Sequence, residues 1–314
     1  MGLFDFLKAK TESVTSSNSQ RVNSKQINNK PRKLKYFNQE YNNLVNNSAF
    51  NLKEAIECFN NNACISCGNI LDSQIKGNRK CPSCQNKIYV RSDVYSKQKL
   101  ELCDDTIKDF EKYDKKVREI LFCERIMKNK EYIYQNYIQE FLTIKNRNIN
   151  VRDTMWQFAN KLGSDLDNQG YKIFMKASLM NKHDRVLENC NAIRCLKLAI
   201  QEYVTMYEIA NYKKQKDIAL DLLSQIAYRD IQVVELDKEV DSFRKFTIED
   251  YISEVHSALI IEFLDKNKYT IEDFKKVFLD TRHPFILPRL SNDDTWKYIE
   301  IALEKQLKWN KQNN

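Results

Sequence analysis

The stretch "CISCGNILDSQIKGNRKCPSC" holds Cys64, Cys67, Cys81 and Cys84, the residues whose types and spacing most directly dictate a chemistry. They form two Cys-x-x-Cys pairs with 13 residues between them. A two-residue gap lets both thiolates of a pair reach one ion from a single tight turn, and two pairs complete a tetrahedral four-sulfur site. Zinc is the expected ion, and iron fits the same cage chemically. Gly68 follows the first pair and supplies the left-handed backbone that such a turn needs. Gln85 stands at the matching place after the second pair, so Asn86 is expected to take the special conformation there, with Pro82 stiffening the turn. Four sulfurs leave no open coordination position, so a structural metal is expected rather than a catalytic one. A redox pair would call for one such motif beside a βαβ unit, which the pattern does not offer.

Lys76, Arg79, Lys80, Lys87 and Arg91 surround the pairs, with Tyr89 and Tyr95 close by. Arg79, Lys80, Lys87 and Arg91 are the candidate nucleic-acid contacts, since cations with interleaved aromatics track phosphates and stack on bases. Zinc with four thiolates carries a net double negative charge, which the same cations would balance with no nucleic acid present. Both readings stand at this point.

The other cysteines are Cys58, Cys103, Cys123, Cys190 and Cys195. Cys190 and Cys195 are five apart on an expected helix, which puts them off a common face, and they read as small buried hydrophobes. His183, His256 and His283 are isolated, and the sequence holds no HExxH, GxSxG, Walker or GxGxxG pattern. His256 lies among apolar residues as a core or boundary histidine. "RHPF", Arg282 to Phe285, is the most enzyme-like fragment and has no evident partner. Asp104-Asp105 and Asp293-Asp294 read as first-turn helix charges. No catalytic constellation is recognised, and the chain is expected not to be an enzyme; a site assembled from distant residues is the alternative.

The elements that must position these residues come from a chain of 314 residues, 42% hydrophobic and 30% charged, with only 5 Gly and 4 Pro. That composition favours long helices over a turn-dense β fold. The longest apolar run, "VHSALIIEFL", is too short to span a bilayer. "MGLFDFLK" lacks the pattern of a secretory signal, so a cytoplasmic protein with reduced or metal-bound cysteines is expected. The net charge of +8 sits in the first hundred residues, +5 over residues 1–50 and +4 over 51–99, against −1 for the rest.

Three regions follow. Residues 1–49 are an N-terminal segment with a mobile basic tail carrying Lys25, Lys30, Arg32, Lys33 and Lys35. Its opening cluster of Leu3, Phe4, Phe6 and Leu7 suits docking on the body or a partner, with peripheral membrane contact through residues 1–8 as the lesser alternative. Myristoylation is not expected, because Phe6 stands where Ser or Thr is wanted. Residues 50–97 are the cysteine module, entered by a helix at "NLKEAIECF" and left by a strand at "KIYV". Residues 98–314 read as helical nearly throughout. Asn150 is an expected N-cap and Gly163 a C-cap. Thr247 and Thr270 open near-capping boxes, and Ser291 opens the last helix. The hairpin over about 188–230 carries Tyr203, Tyr207, Ala210 and Ala219 near places where tetratricopeptide repeats put aromatic or small residues, although no second unit follows at the 34-residue period.

The module, with "CISCGNI" and "CPSCQNKIYVR" as its two knuckles, resembles a zinc ribbon. "CPSCQNKIYVRSD", the charged helix after it and the helical C-terminal half resemble a group of uncharacterised bacterial and phage-borne zinc-ribbon proteins. The likeness covers about 30 residues firmly and brings no activity with it. The expected fold is therefore mainly α, a small four-cysteine zinc ribbon fused to a multi-helix body with a weak tetratricopeptide-like hairpin. The expected function is a non-enzymatic adaptor whose helices bind a protein partner, with nucleic-acid binding through ribbon and tail as the alternative.

Overall fold

The computed structural model describes residues 33–49, 51–72, 76–148, 150–240, 255–281 and 291–313. The opening Leu3–Leu7 cluster, Lys25, Lys30, Arg32, the Thr247 helix start, the Arg282–Phe285 fragment and the His183 side chain lie outside what is described.

Two short helices lead into the ribbon: α1 (Asn38–Asn46) and α2 (Leu52–Asn60). Asn51 starts α2 by accepting the Glu54 N–H at 3.1 Å. The described strands form one antiparallel sheet in the order β1 (Arg79–Lys80), β2 (Lys87–Ser92), β3 (Lys99–Leu102). The third strand corrects the helical reading of the chain just after Lys97. Leu100 and Leu102 alternate with Lys99 and Glu101, a two-residue period. Both leucines are buried against Phe110, Tyr113 and Val117 of the following helix. Ribbon and body thus share an apolar cluster.

The body begins with α3 (Asp104–Asn129), a single turn α4 (Glu131–Tyr134), a 3-10 turn and α5 (Ile138–Arg147). Three long helices follow, α6 (Val151–Ala177), α7 (Lys182–Tyr212) and α8 (Lys216–Val240). Asn150 caps α6 as expected, accepting from the Arg152 and Asp153 N–H groups. Gly163 does not end that helix. It lies inside α6, where an added Cβ would stand 3.3 Å from the Glu202 Cβ. At Gly170 a Cβ would meet Leu196 at 3.2 Å. These glycines serve the close approach of α6 to α7 rather than a helix stop.

The segment α8 is buried on nearly every side, by α7 and by α9 (Ser257–Asn267), α10 (Ile271–Asp280) and α11 (Asn292–Asn313). Thr270 and Asp273 form the capping box of α10, and Ser291 accepts from the Asp294 N–H at α11. The α7–α8 hairpin is antiparallel with a three-residue connection. Its first helix alone has 31 residues, whereas a whole tetratricopeptide unit takes about 34. Tyr207, Ala210 and Ala219 are packed in the core.

One charged cluster pins the three long helices together. Arg229 of α8, 1% exposed, grips the Asp167 carboxylate of α6 through Nε at 3.1 and 3.2 Å and through a second guanidinium nitrogen at 2.5 Å. Its guanidinium lies 3.7 Å from the ring centre of Tyr203 in α7, whose hydroxyl donates to Asp167 at 3.1 Å.

The end of the expected mobile tail is instead packed. Leu34 and Phe37 are buried, and Phe37 meets Phe141 edge-on. The buried Glu124 carboxylate accepts the N–H groups of Lys35, Tyr36 and Phe37 at 2.7, 2.9 and 3.2 Å. Lys35 pairs with Glu131. Two apolar anchors and a three-pronged carboxylate overcome the polar composition of this stretch. Among the described residues, no helix is long and apolar enough to cross a membrane.

Candidate metal centre

The four cysteines come together at the tip of the ribbon. Their sulfurs all lie within 4.8 Å of one another, with Cys64–Cys84 and Cys67–Cys81 both at 3.8 Å. Metal–sulfur bonds of about 2.3 Å give a tetrahedron with edges of about 3.8 Å. A disulfide needs about 2.05 Å, and all nine cysteines are free thiols. The donor set and its spacing therefore fit a single four-coordinate metal ion.

Each pair sits in the same backbone turn. In the first, the Cys64 N–H donates to Asn69 O at 2.9 Å and the Gly68 N–H to Cys64 O at 2.7 Å, with Gly68 at φ 73°. In the second, Cys81 N–H reaches Asn86 O at 2.8 Å and Gln85 N–H reaches Cys81 O at 2.9 Å. Here Gln85 itself has φ 61°, not Asn86. The turn demands the left-handed backbone four residues after its first cysteine, whichever residue stands there, at roughly 1–2 kcal/mol for a non-glycine. The Gln85 amide also donates to Pro82 O at 3.0 Å.

Backbone amides face the sulfurs. Those of Cys84 and Ser83 bring the Cys81 thiol down to about 6. Burial pushes Cys64 up to about 12, opposed by the amides of Ser66 and Cys67. Amides aimed at one sulfur and burial of the other pull the two thiols in opposite directions, and a cation between them would favour the thiolate form of both. Cys64 and Cys81 are fully buried with Leu71 and Ile88, whereas Cys67 is exposed.

A third turn of the same build joins β2 to β3, and the sequence reading missed it. The Asp93 N–H donates to Gln98 O at 2.9 Å, the Lys97 N–H to Asp93 O at 2.9 Å, and Lys97 has φ 63°. Asp93 replaces the first cysteine and Ser96 the second. The buried Asp93 carboxylate accepts the Ser96 N–H at 2.5 Å and the Tyr113 hydroxyl of α3 at 3.2 Å. The run "DVYSKQ" beside "CISCGN" and "CPSCQN" is the available signal. The tip is also tied down through the Ile65 N–H, which donates to buried Glu101 at 2.8 Å.

The strand register splits the four candidate cations. Lys80 pairs with Lys87, so both share the face of β2 that carries Tyr89 and Arg91. Arg79 pairs with Ile88 and belongs to the opposite face. Lys87 and Arg91 lie 4.7 and 5.7 Å from the Tyr89 ring centre, and the Tyr89 hydroxyl donates to Asp104 at 2.6 Å. Tyr95 packs 4.2 Å from Tyr41, away from that face. Lys76 is exposed.

The remaining sites are dispersed. Cys58, Cys103 and Cys195 are half-buried and Cys123 buried, but Cys190 is exposed, which corrects its reading as a buried residue. On that stretch of α7 it is Asn189 and Ala192 that are buried instead. His256 is a boundary residue at the start of α9. Its Nδ1 lies 2.9 Å from the buried Asp230 carboxylate, beside a cavity of about 670 Å³ also lined by Lys305 and Trp309. Asp104 and Asp105 occupy the first turn of α3, and Asp293 and Asp294 that of α11. No family model, curated protein or solved structure matches this chain.

Proposed function

We propose that the protein is a non-enzymatic zinc-ribbon adaptor, in which zinc holds the ribbon and the helical body binds a protein partner. The closed four-sulfur arrangement supports a structural ion, and zinc is the ion that most often takes four thiolates in this geometry. Sulfur from every corner leaves no place for a substrate.

The observation that carries the protein-binding reading is the surface of the α6–α7 hairpin. Tyr171, Met175 and Leu179 follow one another at four-residue steps along α6 and just past its end. They are 39%, 45% and 89% exposed, and Leu187 at the same tip is 65% exposed. Large apolar side chains exposed together at one end of a helical hairpin are what an interaction surface presents. The Lys176–Glu188 pair at 3.4 Å links the two helices there. The double variant Met175→Glu, Leu179→Glu is expected to keep its helicity and lose captured protein, since anchor residues in an interface are worth about 2 kcal/mol or more. Equal recovery of the same partner by wild type and variant in affinity capture would remove this surface from the reading.

A second reading is favoured by one observation, the gathering of Lys80, Lys87 and Arg91 on a single strand face around Tyr89. The phosphate-tracking surface for nucleic acid is then the open end of that face, at the exposed Lys80 and Lys87; further along, Tyr89 and Arg91 stand opposite Leu102 and Leu100, which seat the sheet on α3. Filter binding at two salt concentrations is its measurement. Affinity that falls steeply with salt, and is lost in a variant with Lys80, Lys87 and Arg91 changed to Ala, supports this reading. Salt-insensitive or absent binding leaves the cations as partners of the metal centre.

A further inference from the structure

We infer that the cysteine cluster is a peroxide-responsive fastener in which Cys67 is the entry point and Cys81 the resolving thiol. The inference rests on the zinc reading. Cys64 and Cys81 are buried and Cys84 is half-buried, so Cys67 is the ligand that a small oxidant meets. Its sulfur lies 3.8 Å from that of Cys81, on the other knuckle. Metal-bound thiolates remain nucleophiles, and reactivity follows thiolate character and access.

The chemistry is a two-electron oxidation by hydrogen peroxide. The Cys67 sulfur attacks one peroxide oxygen, the O–O bond breaks, and hydroxide leaves, giving a sulfenic acid. The Cys81 thiolate then attacks the Cys67 sulfur. The S–S bond forms, the S–O bond breaks, and a second hydroxide leaves. Two protons convert both hydroxides to water. The two sulfurs have been oxidised and one peroxide reduced. Only Cys64 and Cys84 remain as thiolates, and two sulfurs do not retain a tetrahedral ion. A dithiol reductant reverses the bridge by thiol–disulfide exchange.

The fold makes this a local event. The strand turn at Asp93 is closed by a carboxylate and by Tyr113 rather than by metal. Oxidation therefore loosens the two knuckles and the β1–β2 pairing, and leaves β2–β3 seated on α3.

The test uses the full chain carrying Cys190→Ala, which removes the other exposed cysteine. Zinc content is measured first, then hydrogen peroxide is titrated with a chromogenic chelator present and the thiols are mapped by mass spectrometry. The mapping alters no ligand, so a misfolded Cys variant does not confuse it. The expected result is loss of about one zinc per chain, with a Cys67–Cys81 bridge and return of metal binding after dithiothreitol. Zinc retained with Cys67 unmodified overturns the inference, as does zinc loss that begins at a different ligand. A chain that carries no zinc at the outset overturns the metal reading itself, a separate outcome.

Discussion

Stripping the metal with a chelator is expected to erase amide protection across residues 62–72 and 76–86 while the far-UV helical signal stays nearly unchanged. Structural zinc supplies about 10–16 kcal/mol of apparent folding free energy in small peptides. The knuckles have little else, since Cys64, Leu71, Cys81 and Ile88 are the buried members of their cluster. The body stands on two much larger clusters. Between these extremes lies the β2–β3 hairpin. Its leucines belong to the cluster with Phe110, Tyr113 and Val117, and its turn is closed by Asp93. Those amides are expected to stay protected after chelation. Hydrogen exchange before and after metal removal reads all three zones in one experiment. Collapse of the helical signal would show that the ribbon and body fold as one unit, and full protection of the knuckles without metal would remove the ion from the account.

The variant Arg229→Ala is expected to destabilise the body by about 3–5 kcal/mol, because it leaves the Asp167 carboxylate buried without its partner. Asp167 is 7% exposed, so water does not easily replace the guanidinium. Arg229→Lys is not expected to rescue, since an ammonium lacks both the two-pronged grip and the flat face that lies on Tyr203. The paired change Arg229→Met, Asp167→Leu is expected to recover most of the loss by removing both charges. Urea unfolding of the four proteins measures this. A loss below about 1 kcal/mol for Arg229→Ala, the range of an exposed pair, would mean that the cluster is hydrated.

The features visible in the sequence are those whose cause is local. Two Cys-x-x-Cys pairs, the Asn150 cap and the Thr270 box each need only neighbours a few residues away. The misread places depend on distant partners. Lys99–Leu102 reads as helix because the charged run after it is helical, and the two-residue period of Leu100 and Leu102 is brief. Gly163 looks like a helix end because nothing in one sequence shows that Glu202 and Tyr203 press against it. Leu34 and Phe37 are too few to announce a docked segment, and their polar partner, Glu124, lies 87 to 89 residues along the chain. Arg229 and Asp167 are 62 apart, and in sequence each looks like an ordinary surface charge. The basic residues around the cysteines are plain to count, but only strand register tells which face each one takes.

The three equivalent turns bear on why such a module would depend on metal at all. One backbone path is closed twice by thiolates and once by a carboxylate. The path itself therefore does not require an ion; it requires something to satisfy the inward amides. Where a helix lies alongside, as α3 does at Asp93, a tyrosine and an acid suffice. At the two cysteine turns Glu101 takes one amide, that of Ile65, and the four sulfurs converge instead on each other, so a cation placed between them would serve as the common interior of both turns. Metal dependence is then a property of address rather than of motif. A ribbon of this design could shed or acquire its ion by changing what it leans on, with the course of its backbone left as it is.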